Sequence, residues 1–95
     1  MAASETRFEW NYEKNATNIR KHGIAFKDAI KAFGDVNSFE YRSQGPQPEQ
    51  RCVLIGSVGS RLIAVIYTVR EGRIRIISAR AARREERNRW NENAS

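Results

Sequence analysis

The sequence predicts an α+β domain: two N-terminal helices packed on a four-stranded antiparallel sheet, followed by a C-terminal helix. Three observations carry that expectation. Phe26, Ala29, Ile30 and Phe33 recur at the i, i+3, i+4, i+7 spacing of an amphipathic helix. Two apolar runs, Arg51–Val58 and Arg61–Arg70, are separated by Gly59-Ser60 alone, a connection that suits a tight hairpin. The chain of 95 residues, 40% of them hydrophobic, can bury one two-layered core and is too small for two.

Taken in order, residues 1–6 are expected as a disordered lead-in, residues 7–91 as a single domain and residues 92–95 as a C-terminal tail. Arg7-Phe8-Glu9-Trp10 reads as a short extended piece with its two aromatics on one side. Asn11 has the side chain of a helix cap, and the helix it opens runs to His22, with Gly23 placed as the left-handed residue after it. Within that helix Ala16 and Ile19 share a face, and Arg20, Lys21 and His22 complement the dipole of the last turn. The second helix stops at Gly34. Residues 35–38 form a turn, residues 39–42 alternate as an edge strand does, and residues 43–50, with Gly45, Pro46 and Pro48, read as a mobile surface loop. After the two apolar strands Glu71-Gly72 offers a second two-residue turn. The strand beyond it passes, without Pro or Gly, into an Ala- and Arg-rich helix over residues 79–91.

Composition narrows the function. No apolar run approaches the roughly 20 residues that cross a bilayer, and residues 1–6 lack the basic and apolar regions of a secretory signal, so the expected location is cytoplasmic, without a membrane partner. The lone Cys52 can form neither an intramolecular disulfide nor a metal site and reads as a small buried hydrophobe; no metal or cofactor is expected. A formal charge of +6 points to a polyanionic partner. Thirteen of the seventeen basic residues are arginine, whose planar fork grips phosphate bidentately. Eight of them, against three glutamates, fall in residues 70–89, so the charge surplus is concentrated there.

The hairpin sharpens this. With Glu71 and Gly72 as loop residues, Arg70 faces Arg73, Thr68 faces Arg75, Val69 faces Ile74 and Tyr67 faces Ile76. Val65, Tyr67, Val69, Ile74 and Ile76 are then expected against the helices, and Thr68, Arg70, Arg73 and Arg75 on the other face. Like charges directly opposite are unfavourable unless something anionic lies between them. That face therefore reads either as an anion-binding surface or as a solvated, arginine-decorated sheet.

These residues resemble the BrnT type of bacterial type II toxins. The resemblance rests on Phe8-Glu9-Trp10, Asn18 with Lys21-His22-Gly23, Phe26, Phe33-Gly34-Asp35, Tyr67-Thr68, and Arg75-Ile76-Ile77-Ser78-Ala79-Arg80 with Glu86-Arg87. It spans residues 7–90. Asn11 stands where the family usually has Asp, and Ala81 where a further basic residue is common. The resemblance implies a RelE-like fold, ribonuclease activity that arrests translation, with RNA and the ribosome as targets, and neutralisation by a cognate BrnA-like, DNA-binding antitoxin. DNA would be reached through the antitoxin complex, which represses its own operon.

Metal-free RNA cleavage needs groups that take a proton, return one and stabilise the extra charge on the phosphorane. Arg75 and Arg80, both in the matched motif, are the first candidates for the last role, with Arg73 and Arg70 beside them. Arg83, Arg84 and Arg87 lie at i+3, i+4 and i+7 from Arg80, so a continued helix would present either a basic stripe to RNA or a solvated face. His22, next to Lys21, belongs to the residue type that exchanges a proton near neutrality, and stands equally where a histidine caps a helix end. Tyr67, Thr68 and Glu86 are supporting candidates; Tyr67 is expected in the core, and Glu9 and Glu86 as partners of nearby arginines. Trp10 and Trp90 could stack bases, but Trp10 is expected in the core beside Phe8, whereas Trp90 could instead anchor the last helix or meet an antitoxin. Two other classes remain open: a non-catalytic nucleic-acid-binding module and an interaction domain that only receives an acidic antitoxin.

Overall fold

The computed structural model describes residues 7–43 and 50–94; the expected lead-in and most of the expected loop at 43–50 lie outside the described residues. The elements are β1 (Arg7–Glu9), α1 (Tyr12–His22), α2 (Phe26–Ala29), a 3-10 turn (Ile30–Gly34), β2 (Phe39–Ser43), β3 (Arg51–Val58), β4 (Arg61–Arg70), β5 (Arg73–Ala81) and α3 (Arg84–Ala94). The class is α+β as expected. Its sheet, however, is five-stranded and mixed, in the order β1-β5-β4-β3-β2, not four-stranded and antiparallel. The difference is β1, which joins parallel to β5 with Arg7, Phe8 and Glu9 beside Arg73, Ile74 and Arg75. The two segments alternate in phase, so pairing sends Phe8 and Ile74 toward the helices while all four charged residues face the other way.

The β4–β5 register agrees with expectation from Arg70↔Arg73 to Tyr67↔Ile76. Glu71 and Gly72 both take positive φ, 53° and 77°, which two-residue hairpin turns of this hand require. Beyond Tyr67 the register slips: Ile66 pairs with Ser78, leaving Ile77 as the extra residue of a β-bulge. The bulge resets the alternation, so Ile76 and Ala79 both enter the core under the N-terminal helices.

Two corrections concern helix limits. The second helix is α only over Phe26–Ala29 and tightens into the 3-10 turn as it crosses the sheet. Gly56 of β3 lies directly beneath that turn; a Cβ there would come within 2.7 Å of the Ala32 carbonyl oxygen. The C-terminal helix does not begin near Ala79. Ala79 and Ala81 pair with Val65 and Ile63 as part of β5, and α3 starts at Arg84 and runs to Ala94. Arg80 is consequently a strand residue, and no single helical stripe connects it to Arg83, Arg84 and Arg87.

Both faces of the sheet carry packed side chains. On one, Phe26, Ala29, Ile63, Val65, Tyr67, Ile76 and Ala79 form the main core, with edge-to-face rings of Phe8 on Phe33 (5.1 Å) and Phe33 on Tyr67 (5.2 Å). Trp10 joins that side against Phe26. On the other face Val53, Ile55, Ala64 and Ala82 are packed under Trp90. Trp90 Nε1 donates to Asp35 Oδ2 at 2.8 Å, and Arg89 lies over the Phe39 ring, so α3 is anchored on the sheet by its own side chains. Asp35 also accepts from the backbone of Asn37 and Ser57. Burial alone would push its carboxyl up, but these three donors hold it below the ordinary value.

Two hairpin residues keep their expected faces but not the burial expected of them. Val69 is 63% exposed, near the turn end of the β4–β5 hairpin. Thr68 is buried at 2% and its hydroxyl donates to the Gln50 carbonyl. Helix α1 is capped as expected, by Asn11 at its start and by Gly23 in the left-handed region at its end. Yet Ala16 and Ile19 share a face that is turned to solvent. The residue α1 buries is Asn18, whose amide donates to the carbonyls of Ile24 and Ala79 and whose Oδ1 accepts from the Ala79 N–H. β1 ends at Glu9, so the Asn18 carboxamide pairs with the β5 edge as a neighbouring strand would.

Candidate nucleic-acid and catalytic site

The β1–β5 pairing builds an arginine cluster on the sheet face away from the main core. Register places Arg7 and Arg70 on either side of Arg73, and Glu9 beside Arg75. Glu9 holds Arg75 and its neighbour Arg73 together, accepting from Arg75 Nη1 at 3.1 Å and lying 3.7 Å from Arg73 Nη1. The Arg73 and Arg75 side chains remain 49% and 34% exposed, so a phosphate can reach them from solvent. Thr68, expected among them, is withdrawn by its burial.

Where β1 stops, α1 takes over as the neighbour of β5, and a groove of about 430 Å³ opens between them. Its lining includes Lys21 and His22 from the last turn of α1, with Ile77 and Ser78 from the bulge. His22 is exposed.

Arg80 and Glu86 meet in the structure, but as a closed pair. Arg80 Nη1 and Nη2 donate to Glu86 Oε1 and Oε2 at 2.8 and 3.0 Å, and the Arg80 and Glu86 side chains are 17% and 8% exposed. Glu86 Oε1 also accepts from the Arg83 N–H at 2.7 Å, the reach-back of a glutamate three residues into a helix. The Tyr41 hydroxyl donates to Oε2. Burial disfavours the Glu86 carboxylate, but Arg80, the Arg83 N–H and Tyr41 outweigh it and bring its pKa down to about 2. The hydrogen bonds from Arg80 to Glu86 likewise hold the guanidinium charged against the opposing effect of burial. Burial and then the adjacent Glu86 carboxylate raise the Tyr41 phenol.

Tyr67 points into the helix-side core and its hydroxyl donates to Glu40. Burial first and Glu40 second raise its pKa, and it stands on the opposite face from the arginines. Arg83, Arg84 and Arg87 are exposed, and of these Arg84 and Arg87 share a face of α3. The structure therefore brings together Arg70, Arg73 and Arg75 on one sheet face and Lys21 with His22 beside the same strand. It sets Arg80, Glu86 and Tyr67 into internal contacts.

Sequence reasoning missed Tyr41 and did not foresee the burial of Asn18. Tyr41 lies 45 positions from Glu86, and nothing in a local pattern links them. Asn18 carried one usable signal: a polar residue sits where α1 needs to touch the core. Among the described residues no group of three His, Cys, Asp or Glu side chains is arranged to hold a metal ion, and no helix is long and apolar enough to cross a membrane.

Fold and charge together define a small α+β domain with an exposed, arginine-rich sheet surface. The particular family follows from the sequence: residues 10–86 match the family model described as "Ribonuclease toxin, BrnT, of type II toxin-antitoxin system", and the chain belongs to that family. Membership implies ribonuclease activity, an RNA substrate and an antitoxin partner. A search of curated proteins gives no match.

Proposed function

We propose that this chain is a metal-independent endoribonuclease of RelE-like kind that inhibits translation in the cytoplasm, with the ribosome as a further partner. Its antitoxin is a BrnA-like, DNA-binding protein, and DNA is reached through that complex alone. The substrate's own 2′-hydroxyl attacks the adjacent phosphorus. The new O2′–P bond forms as the P–O5′ bond breaks, leaving a 2′,3′-cyclic phosphate and a 5′-hydroxyl, while one proton leaves O2′ and one reaches O5′.

The observation that supports this reading best is the gathering of Arg73 and Arg75 around Glu9 on an open sheet face. Glu9 orients the two guanidiniums while solvent-side donors stay available to phosphate oxygens. In this scheme Arg75 stabilises the phosphorane charge. Arg70, Arg73 and Lys21 hold the flanking backbone, and His22 moves one of the two protons. Arg84 and Arg87 on α3, with Arg83 just before it, extend the basic field and draw RNA in. Arg80 acts as a positioning residue, since its closed pair with Glu86 fixes the end of β5 against α3.

The test is incubation of purified protein with RNA in EDTA and analysis of the product ends. Cyclic phosphates are expected, falling about a hundredfold in Arg75→Ala. Binding without cleavage would refute the enzyme reading and leave a nucleic-acid-binding module. Neither binding nor cleavage, with the antitoxin still captured, would leave an interaction domain.

A further inference from the structure

We infer that the groove between α1 and β5 is the track for the RNA strand next to the scissile phosphate, with Lys14, Thr17 and Ser78 as binding residues alongside Lys21; this rests on the ribonuclease reading above. Lys14, Thr17 and Lys21 stand at i, i+3 and i+7, so they form one ridge along α1, and all three line the groove. The two lysines are about 10 Å apart along the helix axis at 1.5 Å per residue, a span that lets each take a different backbone phosphate. Both are exposed.

The opposite wall comes from the bulge. Its extra residue, Ile77, and the following Ser78 line the groove, and bulges commonly re-aim side chains beside functional sites. Ile77 supplies an apolar surface for a sugar or base. Ser78 Oγ donates to Asn18 Oδ1 at 3.3 Å, which orients the hydroxyl and leaves its oxygen to accept, as from a ribose 2′-hydroxyl. The volume of about 430 Å³ falls in the range of small-ligand sites. The groove also continues the arginine face along the same strand: Arg75 and Ser78 are three residues apart on β5, roughly 10 Å at strand rise. A single RNA strand can then touch Arg75 at the reacting phosphate and the lysines on its next nucleotides.

The proposal is tested by two measurements on the full chain. One is binding of a 2′-O-methyl oligonucleotide, which lacks the attacking hydroxyl. The other is cleavage of the matching RNA. Lys14→Ala is expected to weaken binding about fivefold and to reduce the dependence of log affinity on log salt by about one. Lys27→Ala, an equal loss of charge at an exposed position outside the groove, should change neither. Ser78→Ala should leave 2′-O-methyl binding unchanged while raising KM for the RNA. Equal effects of Lys14→Ala and Lys27→Ala would overturn the groove and leave the ribonuclease standing so long as the unaltered protein cleaves. If the unaltered protein neither binds nor cleaves RNA, the ribonuclease reading and the groove fall together.

Discussion

Replacing Glu86 with glutamine keeps the shape of the side chain and removes its charge, so it isolates what the buried carboxylate does. In the folded protein the Glu86 pKa moves from an ordinary 4.5 to about 2. At about 1.4 kcal/mol per pH unit that displacement corresponds to roughly 3 kcal/mol of folding stability. Breaking a buried pair from one side gives a similar figure, about 3–5 kcal/mol, because Arg80 would be left charged at 17% exposure. The sign follows from the direction of the displacement. A depressed folded-state pKa contributes its full stability above the unfolded value, near 4.5, and loses it as pH falls toward 2. Urea unfolding of the wild type and Glu86→Gln across pH 2–7 should show a gap of about 3 kcal/mol at neutrality that closes on the acid side. A variant that also replaces Arg80 with methionine should be more stable than Glu86→Gln alone, since the orphaned charge is gone. A gap under about 1 kcal/mol at pH 7, or one that persists unchanged at pH 2, would refute the assignment of Glu86 as the charged centre of this cluster.

Asn18→Ala should cost about 3 kcal/mol in urea unfolding, because the Ala79 N–H and the carbonyls of Ala79 and Ile24 lose their partner inside the fold. Gly56→Ala should cost about 1–3 kcal/mol by overpacking against the Ala32 carbonyl, seen as a lower thermal midpoint. His22→Ala, at an exposed position, should stay within about 0.5 kcal/mol of wild type yet reduce cleavage by about a hundredfold if the imidazole moves a proton. Lost stability with retained cleavage would make His22 structural instead.

The features that local chemistry dictates were legible in the sequence. Two-residue connections fixed both hairpins, and Asn11 and Gly23 fixed the limits of α1, because a turn or cap draws on adjacent residues. Features that depend on distant partners were not. The parallel docking of Arg7-Phe8-Glu9 joins residues 66 positions apart, so an arginine partner for Glu9 could be expected from the sequence but not that it would be Arg73 and Arg75. The bulge at Ile77 carries no Gly or Pro to announce it. In α1 the apolar pattern of Ala16 and Ile19 pointed away from the buried side, since the contact with β5 is made by an amide that satisfies backbone groups rather than by a hydrocarbon.

The sequence limit of the last helix shows how one distant contact overrides propensity. The run from Ala79 to Arg83 is rich in good helix formers. Were it helical, Arg80 and Glu86 would stand six residues apart on the helix, about 240° round its axis, where side chains do not meet. Continuing β5 to Ala81 instead keeps Ala79 and Ala81 paired with β4 and directs Arg80 onto the face that α3 covers. The chain then turns, and Glu86, three residues into α3, caps the Arg83 N–H while receiving both guanidinium nitrogens. The same carboxylate thus starts the helix and fastens it to the strand, with Tyr41 adding a third element from β2. Arg80 is committed to this junction, whereas Arg73 and Arg75, the arginines ahead of the bulge, stand beside Glu9 with side chains 49% and 34% exposed to solvent.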